Sequence, residues 1–320
     1  MACENFTRGL NYRYRRLSKG YEVTGLGSVS DTEIIIPDTY EGRPVTSIAS
    51  NAFYNCDTIE KVTLPSSLTS IGKWAFKGCS SLKSINLPKG LDEIGKYAFY
   101  GCESIEEITI PESLSSISKD VFNGCASLKS VTIPSGMKHI MEDAFQDCHS
   151  LESVHYDGTA SDWAAITFDG RSSQPLQSGA YLYLKGEKAV DIILEDVSVA
   201  PYAFSGCGSL KAVSFSSGVP SIGNEAFSGC VSLESIAVTS DVTRIGRKAF
   251  AGCESFEAAF FESPFGWYAS SDPKGEKNGD DLDLKDEMQN ARYLTSMYCL
   301  YHWFRNSDSG SGTVEYYHFD

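Results

Sequence analysis

Cysteine supplies the most reactive side chains in this sequence. Cys56, Cys79, Cys102, Cys125 and Cys148 fall 23 residues apart, as do Cys207, Cys230 and Cys253. A disulfide needs Cβ atoms that converge, zinc needs several donors around one point, and a nucleophile needs a base beside it. Strict repetition opposes all three, because stacked copies of one unit hold equivalent side chains parallel, about 5 Å apart along a strand ladder. The spacing predicts buried free thiols that pack rather than react.

The remaining candidates for chemistry do not assemble either. His155 has no nucleophile at matching spacing, and His139, His149, His302 and His318 form no HxxxH pair. Asn278, Asp280, Asp281 and Asp283 invite a calcium site, but they lack the DxDxDG order and suit a solvated acidic linker better. Trp267, Tyr268, Tyr298, Tyr301 and Trp303 could stack on a sugar, although plugging the end of a repeat array is the simpler use. No GxxxxGKS, GxGxxG, GxSxG or HExxH string occurs. The expectation is a chain without enzymatic activity, metal or cofactor.

Charge narrows the partners. Asp and Glu number 42 against 27 Lys and Arg, a formal net charge of -15, which opposes binding to nucleic acid phosphates. No run of about 18 apolar residues is present to span a membrane. The first residues lack the apolar stretch of a signal peptide. A soluble chain is expected.

The element that positions these residues is the repeated phrase itself, IGKWAFKGCSSLKSINLPKGLDE from Ile71 to Glu93, which begins again at Ile94. Leu82, Ile85 and Leu87 alternate with Ser84 and Asn86 before Pro88, the pattern of a short strand with one buried face. Ala75, Phe76 and Cys79 are spaced as one apolar face of a single helical turn. Gly78 can end that turn in the left-handed conformation, and Asn55 and Asp147 take the same place in two other copies. Ile48, Ile71, Ile94, Ile117 and Ile140 mark one further inward position. A unit this small cannot bury its apolar side alone, so the copies must stack.

The predicted fold is an α/β repeat protein: a curved solenoid of 23-residue coils, with a parallel strand ladder along one face and short helical turns away from it. Five stretches follow. Residues 1–47 form an N-terminal cap and first strand unit, and 48–156 a first block of coils. Residues 157–190 are an insertion, 191–261 a second block, and 262–320 a C-terminal cap with a mobile tail. The insertion arises because Cys148 and Cys207 are 59 residues apart, two periods plus 13. Within it, Thr159 or Ser161 can cap a short helix carrying Trp163, Ala164 and Ile166, with strands at 181–184 and 192–194. Residues 291–305 read as a helix turning into a strand that covers the last coil.

The unit LxxIxIPxxLxxIGxxAFxxCxx resembles the BspA-like leucine-rich repeat of bacterial and protozoan surface proteins. Eight AFxxC or VFxxC elements match, Val121 being the one departure in the first letter. YEVTGLGSVSDTEIIIPDTYEGRPVTSI, YDGTASDWAAI and GWY followed by ARYLTSMY are similar to flanking segments of such proteins from gut bacteria. The resemblance implies a right-handed leucine-rich repeat solenoid, its strand ladder on the concave face and the helical turns opposite, used for cell adhesion or protein binding, displayed at the cell surface or secreted, without an active site. It implies host matrix or microbial surface proteins as partners. A monomer is expected.

If repeated letters build the scaffold, function falls to the variable ones. One column of them runs Glu60, Lys83, Glu106, Lys129, Glu152, Lys211, Glu234 and Glu257, with sign alternating through the first seven. Such alternation favours in-register stacking by about 0.2–1 kcal/mol per exposed pair. A second outward column holds Thr63, Asn86, Thr109, Thr132, His155, Ser214, Ala237 and Phe260, small and polar for most of its length. The candidate binding surface comprises Lys83, Ser84, Asn86, Glu106, Thr109, Lys129, Thr132, Glu152, His155 and Lys211. Alternatives are a solvated sheet on a structural spacer, or a carbohydrate-binding C-terminal cap.

Overall fold

The computed structural model describes residues 6–265, 267–270, 281–282, 284–297 and 302–305. It is a solenoid in which most coils contribute two short strands. The first set forms the main ladder in paired segments: Glu33–Ile35, Lys61–Thr63 and Ser84–Ile85 are parallel in one sheet, and Glu107–Thr109, Ser130–Ile133, Ser153–Tyr156 and Tyr181–Leu184 in the next. After a break it resumes as Asp191–Leu194, Ala212–Phe215, Ser235–Val238 and Ala258–Phe261. Its inward column, Ile34, Val62, Ile85, Ile108, Val131, Val154 and Leu182, is buried throughout.

The second ladder joins Ser70–Ile71 to Arg43–Ile48 and Glu93–Ile94, and His139–Ile140 to Ser116–Ile117 and Thr167–Phe168. The isoleucines at 48, 71, 94, 117 and 140 are its buried column. Each strand contributes two paired residues here, too few to show alternation in the sequence.

The third side of each coil differs from the expected turn of helix. Lys77 N donates to Trp74 O at 3.2 Å and Cys79 N to Phe76 O at 3.1 Å, which are tight turns. The intervening amides of Trp74, Phe76 and Gly78 instead donate to Lys96 O, Ala98 O and Tyr100 O of the next coil, at 3.2, 2.8 and 2.8 Å. Two left-handed residues per coil cause this. Gly78 (φ 75°) is one, with Asn55 (56°) and Asp147 (60°) in equivalent places as expected. The other is Trp74 (φ 59°), a position held elsewhere by Asn51, Tyr97, Asp120, Asp143, Tyr202, Glu225 and Lys248, all with positive φ. A helix cannot continue through such residues, so the segment bonds sideways to its neighbour.

Phenylalanines fill the centre behind these turns. Phe53, Phe76, Phe99, Phe122 and Phe145 stack with successive ring centroids 5.0, 5.4, 5.7 and 5.5 Å apart, and Phe204, Phe227 and Phe250 repeat the arrangement. Parallel offset rings one coil apart satisfy both the aromatic quadrupole and the repeat.

The extra residues of the first coil form a hairpin between Thr39–Tyr40 and Arg43–Ile48, its turn made by left-handed Glu41 and Gly42. Strand Asn11–Arg15 lies antiparallel on Gly20–Gly25 and closes this end. At the other end Trp267–Ser270 and His302–Arg305 pair antiparallel, and the latter adds to Arg244–Ile245. Helix Glu287–Arg292 continues as a π-helical turn, Tyr293–Met297, before that strand. Trp267 and Trp303 are buried against Phe261, at 5.4 and 6.4 Å between centroids. With Tyr268 also buried, these rings plug the last coil and offer no sugar platform. Tyr298, Tyr301, Asn278, Asp280, Asp283, His318 and the tail after residue 305 lie outside the described residues.

The insertion makes one enlarged coil. Helix α1, Ala160–Ala164, is capped by Thr159, whose Oγ1 accepts from Asp162 N at 3.1 Å while Asp162 accepts from Thr159 N at 3.0 Å. Tyr181–Leu184 then joins the main ladder and folds back as a hairpin with Glu187–Lys188. Because this coil has no AFxxC segment, the backbone groups that such a segment would serve find side chains instead. Trp163 Nε1 donates to Ala203 O at 2.6 Å, and Gln174 Nε2 donates to Tyr202 O and Ala203 O at 2.8 and 2.7 Å. Gln177 Nε2 donates to Phe145 O at 3.1 Å. The two blocks are joined by these bonds and by the Ala200 N bond to Ala164 O at 2.8 Å.

Candidate functional site

The thiols have a defined structural use. Cys79 Sγ donates to Phe53 O at 3.0 Å, and Cys102, Cys125, Cys148, Cys230 and Cys253 repeat the bond to the phenylalanine carbonyl 26 residues back. Cys207 follows the enlarged coil, which has no such carbonyl, and contacts Ser209 Oγ at 3.3 Å instead. All eight described cysteines are free. Burial pushes the thiols of Cys79, Cys148 and Cys253 up to about 12, and those of Cys102, Cys125 and Cys230 well above the usual value. A thiol that does not ionise is neither a nucleophile nor a metal ligand. Alkylation of the native protein at pH 8, mapped by mass spectrometry, is expected to label half-buried Cys56 and to leave the other seven unmodified until denaturant is added. Rapid native labelling at Cys102, Cys125 or Cys230 would contradict their burial.

Among the described residues no three His, Cys, Asp or Glu side chains converge as a metal site. His139 Nε2 lies 2.6 Å from Asp169 Oδ1 at the edge of the second ladder. No helix among the described residues is long and apolar enough to cross a membrane.

The variable residues lie along the main ladder, and their charges resolve into separate pairs. Lys83 Nζ meets Glu60 at 2.8 Å, Lys129 meets Glu106 at 2.9 Å and Lys211 meets Glu234 at 2.8 Å. All six side chains are about half exposed or more, so each pair is worth at most about 1 kcal/mol. Glu152 and Lys211 are not neighbours, contrary to the simple column. Tyr181 N donates to Glu152 O, whereas Lys211 N donates to Val190 O, so the enlarged coil and its hairpin stand between them.

The second column alternates outward as expected, with register Thr109 to Thr132 to His155. The hydroxyls of Ser84, Thr109 and Thr132 make no hydrogen bond within the described chain and face solvent. Asn86 differs: its Oδ1 accepts from Leu64 N at 2.8 Å and its Nδ2 donates to Leu64 O at 3.1 Å. Its amide staples two coils. His155 stacks on Tyr183 of the insertion, 4.7 Å between centroids, so it acts as a ladder contact rather than a base. Tyr181, Tyr183, Glu152 and His149 border an open depression of about 720 Å³ beside it.

The outward column read from the sequence includes Phe260 but passes over Ile193. Ile193 and Phe260 are 64% and 50% exposed in the outward column of the second block, whose intervening members are Ser214 and Ala237. The first block thus presents a polar strip and the second a more apolar one. Trp163, by contrast, is fully buried in the joint, so the insertion does not offer it to a partner.

The family model for the BspA type leucine rich repeat region matches residues 46–174 and 186–268, in six copies, which is well over half of the chain. No curated protein matches at a significant level. Among solved structures, a leucine rich repeat protein of T. pallidum is 27% identical, with 78% of this chain and 89% of that one covered and a TM-score of 0.46. A leucine rich cell surface protein of Faecalibacterium prausnitzii is 22% identical, covering 80% and 94%, with a TM-score of 0.38. The pneumococcal vaccine antigen PcpA is 18% identical, covering 77% and 66%, with a TM-score of 0.45.

Proposed function

Because the chain belongs to the BspA-type leucine-rich repeat family, we propose that it is a protein-recognition module, surface-displayed or secreted, that receives a partner protein along its main ladder. The observation that carries this is the outward strip of the first block, borne on two successive ladder segments. Ser84, Thr109 and Thr132 keep their hydroxyls unengaged, and the pairs Lys83–Glu60 and Lys129–Glu106 flank them with exposed donors and acceptors. A broad face of this kind binds through many modest contacts, and its specificity comes from charge placement. The partner is a host matrix or microbial surface protein, and the module acts as a monomer without catalysis.

Reversing two charges tests the assignment. Lys83→Glu with Lys129→Glu places like charges beside Glu60 and Glu106, and is expected to weaken attachment to immobilised matrix or microbial surface proteins about tenfold or more. Circular dichroism should be unchanged, because the sites are exposed. Lys89→Glu, exposed beyond the strand, is the control. Equal attachment by the double variant and the control would remove recognition from this face and leave the coils as a spacer.

A further inference from the structure

A second surface lies on the turn side of the first block, away from the main ladder. Trp74 and Tyr97 occupy equivalent left-handed positions in adjacent coils, with ring centroids 6.1 Å apart, and Tyr100 lies 6.0 Å from Tyr97. Neighbouring coils use Asn51, Asp120 and Asp143 at this position. Asn and Asp tolerate positive φ, whereas a bulky aromatic residue there is a steric exception. The core does not require these rings, which are only half-buried and lie outside the phenylalanine stack. Tyr97 has the Asp120 carboxylate of the next coil beside its hydroxyl, whereas packing leaves the choice of Trp74 unexplained.

Cations surround the rings. Lys73 Nζ lies 3.7 Å from the centroid of Trp74, and Lys77 Nζ 4.7 Å from that of Tyr100. Lys96 repeats the Lys73 position one coil on. Among the described residues, Lys73, Lys77 and Lys96 have no carboxylate within ion-pair distance, whereas Lys83, Lys129 and Lys211 on the main ladder each have one. The positive patch ends at the next coil, where Lys119 contacts Glu142 and lies 3.8 Å from Asp143. In a chain of net charge -15, three lysines without a carboxylate partner, two of them over aromatic rings, form a local exception.

We infer that this patch binds a linear acidic polysaccharide of the polyuronate type. The C–H face of a sugar ring suits the negative face of Trp74 or Tyr97. The carboxylates along such a chain suit ammonium groups at equivalent positions of adjacent coils, Lys73 and Lys96, whose neighbouring rings lie 6.1 Å apart. An ammonium resting on a ring keeps N–H donors for an anion. The inference is independent of the proposed protein-binding face and uses different residues.

Titration calorimetry of the whole chain with oligogalacturonate, its methyl ester and polyglutamate tests this. Oligogalacturonate is expected to bind, and the uncharged ester to bind about tenfold more weakly or worse. Trp74→Ala, and separately Lys73→Gln with Lys96→Gln, are each expected to weaken binding about tenfold. The lysine pair is exposed, so its result does not depend on how the fold tolerates loss of Trp74. Lys83→Glu with Lys129→Glu should leave oligogalacturonate binding unchanged. Absence of oligogalacturonate binding, equal binding of polyglutamate, or wild-type affinity in the lysine variant would each overturn the assignment.

Discussion

Phe99→Ala is expected to lower the free energy of unfolding by about 3–5 kcal/mol, read from chemical denaturation. Phe99 is fully buried and stacks on Phe76 and Phe122, both within 5.7 Å and nearly parallel. Truncation removes both ring contacts and leaves a void between two rings that cannot close on each other. The backbone prevents collapse, because Phe99 N donates to Val121 O at 3.0 Å and Phe99 O accepts from Cys125 Sγ at 3.4 Å. The cost therefore belongs at the upper end of the range for large-to-small changes. Phe260→Ala is the matched comparison. That ring is half exposed on the outward face, and its loss should change stability by no more than about 0.5 kcal/mol. Equal effects at the two positions would contradict a core organised around the phenylalanine stack.

Trp163→Ala should have a cost of similar size, about 3–5 kcal/mol, with a different signature. Trp163 packs on Tyr156 and Phe168 and donates to Ala203 O, so it belongs to the joint between the two blocks. In a stacked array each coil is stabilised by its neighbours, and a weak interface divides the array at that place. The variant is expected to unfold in two steps, with the second block lost at lower denaturant than the first. Pulsed hydrogen exchange resolves them: amides of Ala212–Phe215 and Ser235–Val238 should open before those of Ser130–Ile133. A single transition with all three strands opening together would show that the joint is no weaker than the coils.

Much of this was legible in the residues because each coil states the same requirement again. Gly78 and its equivalents, with Asn55 and Asp147, announced a left-handed residue, since these types tolerate positive φ. The companion left-handed position did not, because Trp74, Tyr97, Asp120 and Lys248 share no local signature. Its conformation is imposed by the alternation of bonds within and between coils. The second ladder stayed hidden because Ser70–Ile71 and its equivalents are two residues long.

On the candidate surface, counting periods was sound inside a block and failed across the insertion. Glu152 and Lys211 occupy corresponding positions, yet the ladder between them is broken by the Tyr181–Leu184 hairpin. Asn86 read as a polar residue on an exposed strip, and only the geometry shows its amide closing on Leu64. The donors of Trp163 and Gln174 reach carbonyls 40 and 28 or 29 residues away, distances at which side-chain type gives no indication of partner.

The central functional claim concerns which side of the solenoid a partner covers. Amide hydrogen exchange of the chain, free and bound to a matrix or microbial surface protein that it captures, measures this directly. Protection is expected at 23-residue intervals, in Lys61–Thr63, Ser84–Ile85, Glu107–Thr109, Ser130–Ile133 and Ser153–Tyr156, with the turn segments between them unchanged. Protection confined to the turn segments or to the two caps would contradict recognition by the main ladder.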